Sequence, residues 1–420
     1  MSSHCKEIIF LGDGMGGRPV AALGGKTCIE AAYTPALDAM AAAGESGHLH
    51  PAGFGLPVGS DTAHMAILGY DPRKFYRGRG PFEAKGVGID VRPGDLAFRC
   101  NFSTVENGIV TDRRAGRIKT GTDQLAALIN KEFEGGIDGI QVIFKESVEH
   151  RAALVLRGEG LDHHIGEVDP HEEGVAYFQC APSADCPAED LDQAQRSAAV
   201  VNEFVRRSHL VLETAPLNVE RKAQGLKPAN AALPRGVGTA VELTPFQVQY
   251  GLHGALIVEV DLVRGLGMYL AMDVIDVPEA TGGADTNELA LAKAVQAAWD
   301  SHDFILCNIK APDLGGHDGD ARAKIASIEK VDRAVGYLLD NLDWRNTVMM
   351  IGADHCTPVT VKDHSGDGIP VAFYGHGVRP DDVMVYGERA SAKGSIGHIT
   401  GADVLQVLGN FAGTVHKFGA

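Results

Sequence analysis

The chain has 420 residues, 45% of them hydrophobic and 22% charged, with a formal net charge of −17. This is ordinary globular composition. It excludes disorder as the main state and predicts two or three domains at roughly 150 residues each. The acidic balance argues against a general nucleic-acid binder and against a basic membrane-surface protein. Residues 1–7 lack a basic leader region, and the apolar run 8–11 stops at Gly12-Asp13, so no signal peptide is expected. No stretch approaches the roughly 18 apolar residues that a membrane span needs. The seven cysteines are odd in number and form no CxxC pair, which predicts reduced thiols and a cytoplasmic protein. Cys180 and Cys186 lie close together in a Pro-flanked stretch, where a pair or a metal site is possible and a plain loop is the simpler expectation.

Three stretches share one design: a short apolar run, readable as a buried parallel strand, that ends near Asp in a Gly/His-rich loop. The first is 8–13, Ile-Ile-Phe-Leu-Gly-Asp, followed by Gly14. The second is 304–309, followed by Lys310-Ala-Pro-Asp313 and Gly-Gly-His317. The third is 347–355, which ends in Asp354-His355. Helical patterns cover 288–301 and 321–342. This alternation predicts an α/β fold: a doubly wound, mostly parallel sheet flanked by helices, with ligands gathered beyond the carboxyl ends of its strands. Between about 105 and 282 the texture changes. Strand-like 140–144 and 152–157 precede a Pro/Asp/Glu-rich stretch, a helix over 193–213 and a Pro-punctuated loop over 216–234. We expect residues 1–104 and 283–420 to form the core, and 105–282 a smaller inserted α/β domain.

The loops after the strands supply Asp13, Asp313, His317, Asp354 and His355, and a nearby loop adds His364. Three carboxylates and three imidazoles, with no thiolate, suit one or two divalent cations such as Mn²⁺, Zn²⁺, Co²⁺ or Mg²⁺. Beside them Gly59-Ser60 opens a helix expected to run to about Leu68, where backbone N–H groups and the helix dipole favour a phosphate. Ser60 is a candidate nucleophile if a metal activates it, and otherwise an N-cap. His64 and Asp61 could assist proton transfer or be structural, and Lys310 and Asp320 have no evident role. From Arg73 to Lys119 there are eleven basic residues against five acidic ones. Arginine forks there suit a small anionic substrate, or else form a solvated basic face.

Gly12-Asp13-Gly14-Met15, Gly59-Ser60-Asp61-Thr62-Ala63-His64, Asp313-x₃-His317-Asp-Gly-Asp, Asp354-His355-x-Thr357-Pro358 and Asp363-His364-Ser-Gly-Asp occur in one order. Together they resemble the alkaline phosphatase superfamily, and within it the archaeal-type cofactor-independent phosphoglycerate mutases. Phe98-Arg-Cys-Asn-Phe, Asp112-Arg-Arg-Ala-Gly-Arg-Ile, His150-Arg151, Asp169-Pro-His171 and 281–287 resemble that branch as well. The resemblance implies that 3-phosphoglycerate and 2-phosphoglycerate are interconverted without 2,3-bisphosphoglycerate, with Ser60 transiently phosphorylated. It implies one metal on Asp13, Ser60, Asp354 and His355 and a second on Asp313, His317 and His364, with Mn²⁺ the favoured ion. It also implies that 1–104 and 283–420 bind the metals while 105–282 closes over the substrate as a lid and supplies arginines, with Arg99, Arg113, Arg114, Arg117 and Arg151 as the candidate substrate-binding residues. The partner is then a small phosphorylated acid, not a nucleic acid or a membrane, and the sequence carries no signal for oligomeric state. A related phosphotransferase or phosphatase, such as a homoserine-kinase-like enzyme, would share the metal motifs and differ in its acceptor pocket. A sulfatase is disfavoured, because Ser60 is not followed by the Pro-x-Arg pattern of that branch.

Overall fold

A computed structural model describes residues 5–417 and Gly419, so part of the leader stretch lies outside the described residues. The chain divides into two compact units, Met1–Phe75 with Leu243–Ala420, and Tyr76–Glu242.

The first unit is built on an eight-stranded sheet in the order Asp273–Val274, Gly254–Val258, Phe304–Ile309, Lys6–Gly12, Thr347–Gly352, Ile369–Gly375, Glu45–His50 and Gly397–Thr400. Neighbours run parallel, except that Ile369–Gly375 is antiparallel to both of its partners. The three central strands are buried throughout Phe304–Ile309 and Thr347–Gly352 and nearly so in Lys6–Gly12. That is why they read as continuous apolar runs with no alternation. Helices Glu288–Trp299 and Ala321–Asn341 pack beside them. Asp320 caps the second of these, accepting from the backbone N–H groups of Arg322 and Ala323. Among the described residues no helix is long and apolar enough to cross a membrane.

The second unit is an antiparallel sheet. Leu96–Glu106 is its central strand, paired with Arg151–Arg157, Ala231–Thr239 and Ile109–Asp112. Helices Thr122–Glu132 and Leu191–Glu213 contribute Leu125, Ile129, Val201 and Phe204 to its apolar core. Two expectations differ from this structure. The boundaries at 104/105 and 282/283 fall elsewhere: residues 76–104 belong to the second unit and 243–282 to the first. The run 216–234 is not one loop, because helix Pro216–Ala223 starts on its proline and strand Ala231–Thr239 begins inside it. Proline at a first helical turn loses only an N–H that had no intrahelical partner. All seven cysteines are free thiols, Cys180 and Cys186 included.

Candidate active site

Three adjacent parallel strands deliver the acids. Asp13 follows Lys6–Gly12, Asp354 and His355 follow Thr347–Gly352, and Phe304–Ile309 runs directly into helix Ala311–Asp318. On that helix Asp313 and His317 stand four residues apart, which places them on one face. Ser60 is the first residue of helix Ser60–Ile67, after an extended Gly59.

The hydrogen bonds fix which imidazole nitrogens carry protons. Thr357 Oγ1 donates to Asp313 Oδ1 at 2.6 Å, so it accepts from His355 Nδ1 at 3.1 Å. His364 Nδ1 donates to the Val58 carbonyl (2.7 Å) and His317 Nδ1 to the Lys362 carbonyl (3.1 Å). A carbonyl only accepts, so Nδ1 of each of these rings carries a proton and its Nε2 is turned inward. His355 Nε2 then accepts from the Ser60 hydroxyl at 3.2 Å, and it lies 3.6 Å from Asp13 Oδ1 and 3.3 Å from Asp354 Oδ2. His317 Nε2 and His364 Nε2 are 3.2 Å apart and 3.5 and 3.7 Å from Asp313 Oδ1. Two Nε2 atoms facing one another beside a carboxylate need a proton or a cation between them, and a divalent cation would engage all three. Asp354 Oδ2 is buried without a hydrogen-bond partner, which points the same way. The donor atoms of Asp13, Asp354 and His355 cluster within 4.8 Å, as do those of Asp313, His355 and His364. Oxygen and imidazole donors in this arrangement fit divalent cations.

The charges agree with this. Burial, and then Asp354, push Asp13 well above the usual carboxylate range. Burial holds the His355 imidazole neutral, down to about 3. Burial opposes ionisation of Asp313 too, but Lys310 overrides it and keeps that carboxyl well below its ordinary value. Lys310 Nζ lies 2.7 Å from Asp13 Oδ1 and 2.8 Å from Asp313 Oδ2, and the acids hold it above its ordinary value against burial. One ammonium among three buried carboxylates leaves an excess of negative charge, which a buried site tolerates poorly without further cations.

The arginines belong to the second unit. Arg99 stands directly across from Arg235 on the neighbouring strand, with Arg99 Nη1 3.3 Å and Arg79 Nε 2.9 Å from Glu83 Oε1. Burial alone would raise Glu83, but Arg99 and Arg79 hold it at about 2. Burial, then Arg151, Arg99, Arg114 and Arg117, lower His150 to about 2. Arg113 is engaged bidentately by the buried Asp169, at 2.9 and 2.7 Å. Arg113, Arg114 and Arg117 also line a groove of about 500 Å³ with His171, Glu172 and Glu173.

The family described as 2,3-bisphosphoglycerate-independent phosphoglycerate mutase matches residues 41–218. The enzyme of that name from Methanosphaera stadtmanae is 49% identical over 99% of this chain and all of its own length. The one from Methanopyrus kandleri is 46% identical over 99% of this chain and 98% of its own. The chain belongs to the 2,3-bisphosphoglycerate-independent phosphoglycerate mutases. Solved structures agree with the assignment. A Thermoplasma acidophilum cofactor-independent phosphoglycerate mutase superposes with a TM-score of 0.65 at 35% identity, covering 97% of this chain and all of that one. A Pyrococcus horikoshii protein does so with a TM-score of 0.84 at 36% identity, covering 99% and 100%.

For this member of the mutase family, residues beyond the sequence-derived set shape the site. Lys310 had no assigned role, although its place between a strand end and Asp313 was a signal. Asn308 Nδ2 donates to Asp13 Oδ2 at 2.8 Å from inside an otherwise apolar strand. Lys324 is fully buried, and its Nζ donates to the carbonyls of Gly14, Gly16 and Thr357 at 2.8, 2.9 and 2.6 Å. Its place in helix Ala321–Asn341 carries no sequence signal for this burial. Arg235 lies outside the basic run, and only strand pairing brings it to Arg99. His64 is fully buried, with Nδ1 donating to the Ser60 carbonyl at 2.7 Å, a contact that braces the helix start.

Proposed function

We propose that this chain interconverts 3-phosphoglycerate and 2-phosphoglycerate through a phosphoserine on Ser60, as an isomerase of glycolysis and gluconeogenesis in the cytoplasm. The observation that carries this is the convergence of Asp13, Asp354, Asp313 and three inward-facing imidazole Nε2 atoms beside the Ser60 hydroxyl. Asp13, Ser60, Asp354 and His355 would hold one divalent cation, and Asp313, His317 and His364 a second, with Mn²⁺ suited to the oxygen-rich donor set. The bound cations supply positive charge for the transferring phosphoryl group and lower the pKa of the serine hydroxyl. No 2,3-bisphosphoglycerate is required, because Ser60 carries the phosphoryl group between the two hydroxyls.

Ser60 Oγ gives up its proton and attacks phosphorus, the bond from phosphorus to the glycerate oxygen breaks, and that oxygen takes up a proton. The other glycerate hydroxyl then attacks the phosphoserine, loses its proton and restores free Ser60. The N–H groups of the Ser60 helix and its dipole favour the phosphoryl group there, and Lys310 adds a fixed positive charge. The arginines around His150, Arg99, Arg151, Arg114 and Arg117, would hold the carboxylate and phosphate of the substrate. Arg113, paired with Asp169, would position that loop. The test is Ser60→Ala. We expect mutase turnover to fall by at least about 10⁴-fold in the folded variant. Retained turnover in a folded variant would exclude the phosphoserine route. Assaying wild type with homoserine and a phosphate donor separates the mutase from a kinase-like relative.

A further inference from the structure

At the amino ends of the large sheet's strands, away from Asp13 and Asp354, three further side chains converge. His253 immediately precedes Gly254–Val258, Asp273 opens the edge strand Asp273–Val274, and His302 lies two residues before Phe304–Ile309. His253 Nε2 is 3.0 Å and His302 Nε2 3.2 Å from the same oxygen, Asp273 Oδ2, and the two rings stack with centroids 4.6 Å apart. His253 Nδ1 lies 3.2 Å from the Ser301 carbonyl, and His302 Nδ1 lies 3.1 Å from the Ala298 carbonyl and 3.0 Å from Ser301 Oγ. Protons on the Nδ1 atoms satisfy the two carbonyls, and both Nε2 atoms are directed at one carboxylate oxygen. The three donor atoms lie within 4.8 Å of one another. Four tetrahedral ligands at about 2.1 Å from a zinc-like ion stand about 3.4 Å apart, close to the separations seen here. An imidazole anchored through Nδ1–H to a backbone carbonyl is also the outer arrangement that metal-ligating histidines commonly adopt. Asp273 and His253 are partly open to solvent, which leaves an entry path and room for a water as fourth ligand.

We propose that His253, Asp273 and His302 form a separate, non-catalytic site for a transition-metal dication of the Zn²⁺ class. The ion clips the two-residue edge strand to its neighbour Gly254–Val258 and to the next strand in the sheet, Phe304–Ile309. Nothing in this depends on the chemistry at Ser60. The test uses the intact protein and ZnCl₂. Crystals soaked at micromolar zinc should show an anomalous peak at the zinc edge among the three donor atoms. In equilibrium dialysis, His302→Gln should bind one equivalent of zinc fewer than wild type, and so should the milder Asp273→Asn at the exposed strand. Mutase turnover measured in Mn²⁺ should stay within about twofold of wild type for both. Zinc should raise the wild-type melting temperature by about 3 °C more than that of either variant. Equal stoichiometry in wild type and variants, no peak at this position, or occupancy only at millimolar zinc would overturn the proposal, leaving the pair as imidazoles held by protons.

Discussion

Gly14 occupies a position that admits no side chain. Its φ is +57°, and a Cβ there would lie 2.5 Å from Thr357 Oγ1 and 2.6 Å from Asp313 Oδ1. Its N–H donates to Asp354 Oδ1 at 2.9 Å. Gly14→Ala should therefore displace the oxygens of both candidate metal sites. A metal titration should show affinity weakened at least about 10-fold, with a stability cost of about 1–2 kcal/mol from the left-handed backbone. Unchanged affinity would contradict this picture. Glu7 allows a pH prediction. Its carboxyl is buried, accepts from Thr414 Oγ1 at 2.6 Å, and is pushed by burial from 4.5 to about 7. A carboxyl raised in the folded state binds more protons folded than unfolded. Its stabilising contribution is complete below pH 4.5 and is lost as pH rises through 7. Glu7→Gln should thus match wild type near pH 4.5 and exceed it at pH 8 by up to about 3 kcal/mol in thermal or urea unfolding. Parallel pH profiles would refute it. At this scale the sequence showed the acids and imidazoles, because their residue types and spacing carry the chemistry. It hid Arg235 and Lys324, whose roles arise only from long-range contacts.

Among the elements, helix Ala311–Asp318 does most to assemble the site. Its start right after a buried strand sets Asp313 at the strand end, and one turn later His317 falls on the same face. Gly315 and Gly316 let it pack closely: a Cβ on Gly315 would lie 2.7 Å from the Lys324 backbone nitrogen, and one on Gly316 2.4 Å from the Thr357 carbonyl oxygen. From the neighbouring helix Lys324 ties three loop carbonyls together. Lys324→Met keeps the bulk but leaves those carbonyls without donors, which should cost at least about 3 kcal/mol and lower the melting temperature by about 6 °C or more. A change under 1 °C would show that the lysine is not what holds the loops. Strands Phe304–Ile309 and Thr347–Gly352 were legible because central parallel strands are apolar on both faces. Strand Ala231–Thr239 was not, since its Pro234 reads as a break, whereas a strand tolerates proline where no ladder N–H is needed.

For the molecule as a whole, an α/β core with an inserted second unit was visible as a change of texture, but its edges were not. Leu96–Glu106 is buried along almost all its length, like a core strand of the first unit, and two of its partners, Arg151–Arg157 and Ala231–Thr239, come some 45 to 140 residues later. Gly254–Val258 conversely sits in a stretch read as insertion while pairing with Phe304–Ile309. Local pattern shows that a strand exists and which faces it buries; it does not show which sheet it joins. The net charge of −17 resolves in the same way. Buried acids gather at the strand ends of the first unit, and the buried Arg99 gathers with the half-buried Arg151 and Arg235 in the sheet of the second. Global charge therefore says little about the substrate.

The central claim is that paired divalent cations on these acids and imidazoles enable Ser60 to carry the phosphoryl group. Its most direct test is the mutase assay on chelator-stripped protein, followed by re-addition of single divalent ions. We expect turnover of 3-phosphoglycerate to 2-phosphoglycerate to vanish on stripping and to return with Mn²⁺ at about two equivalents bound. Full turnover in the stripped, folded protein, or loss that no divalent ion restores, would contradict the account.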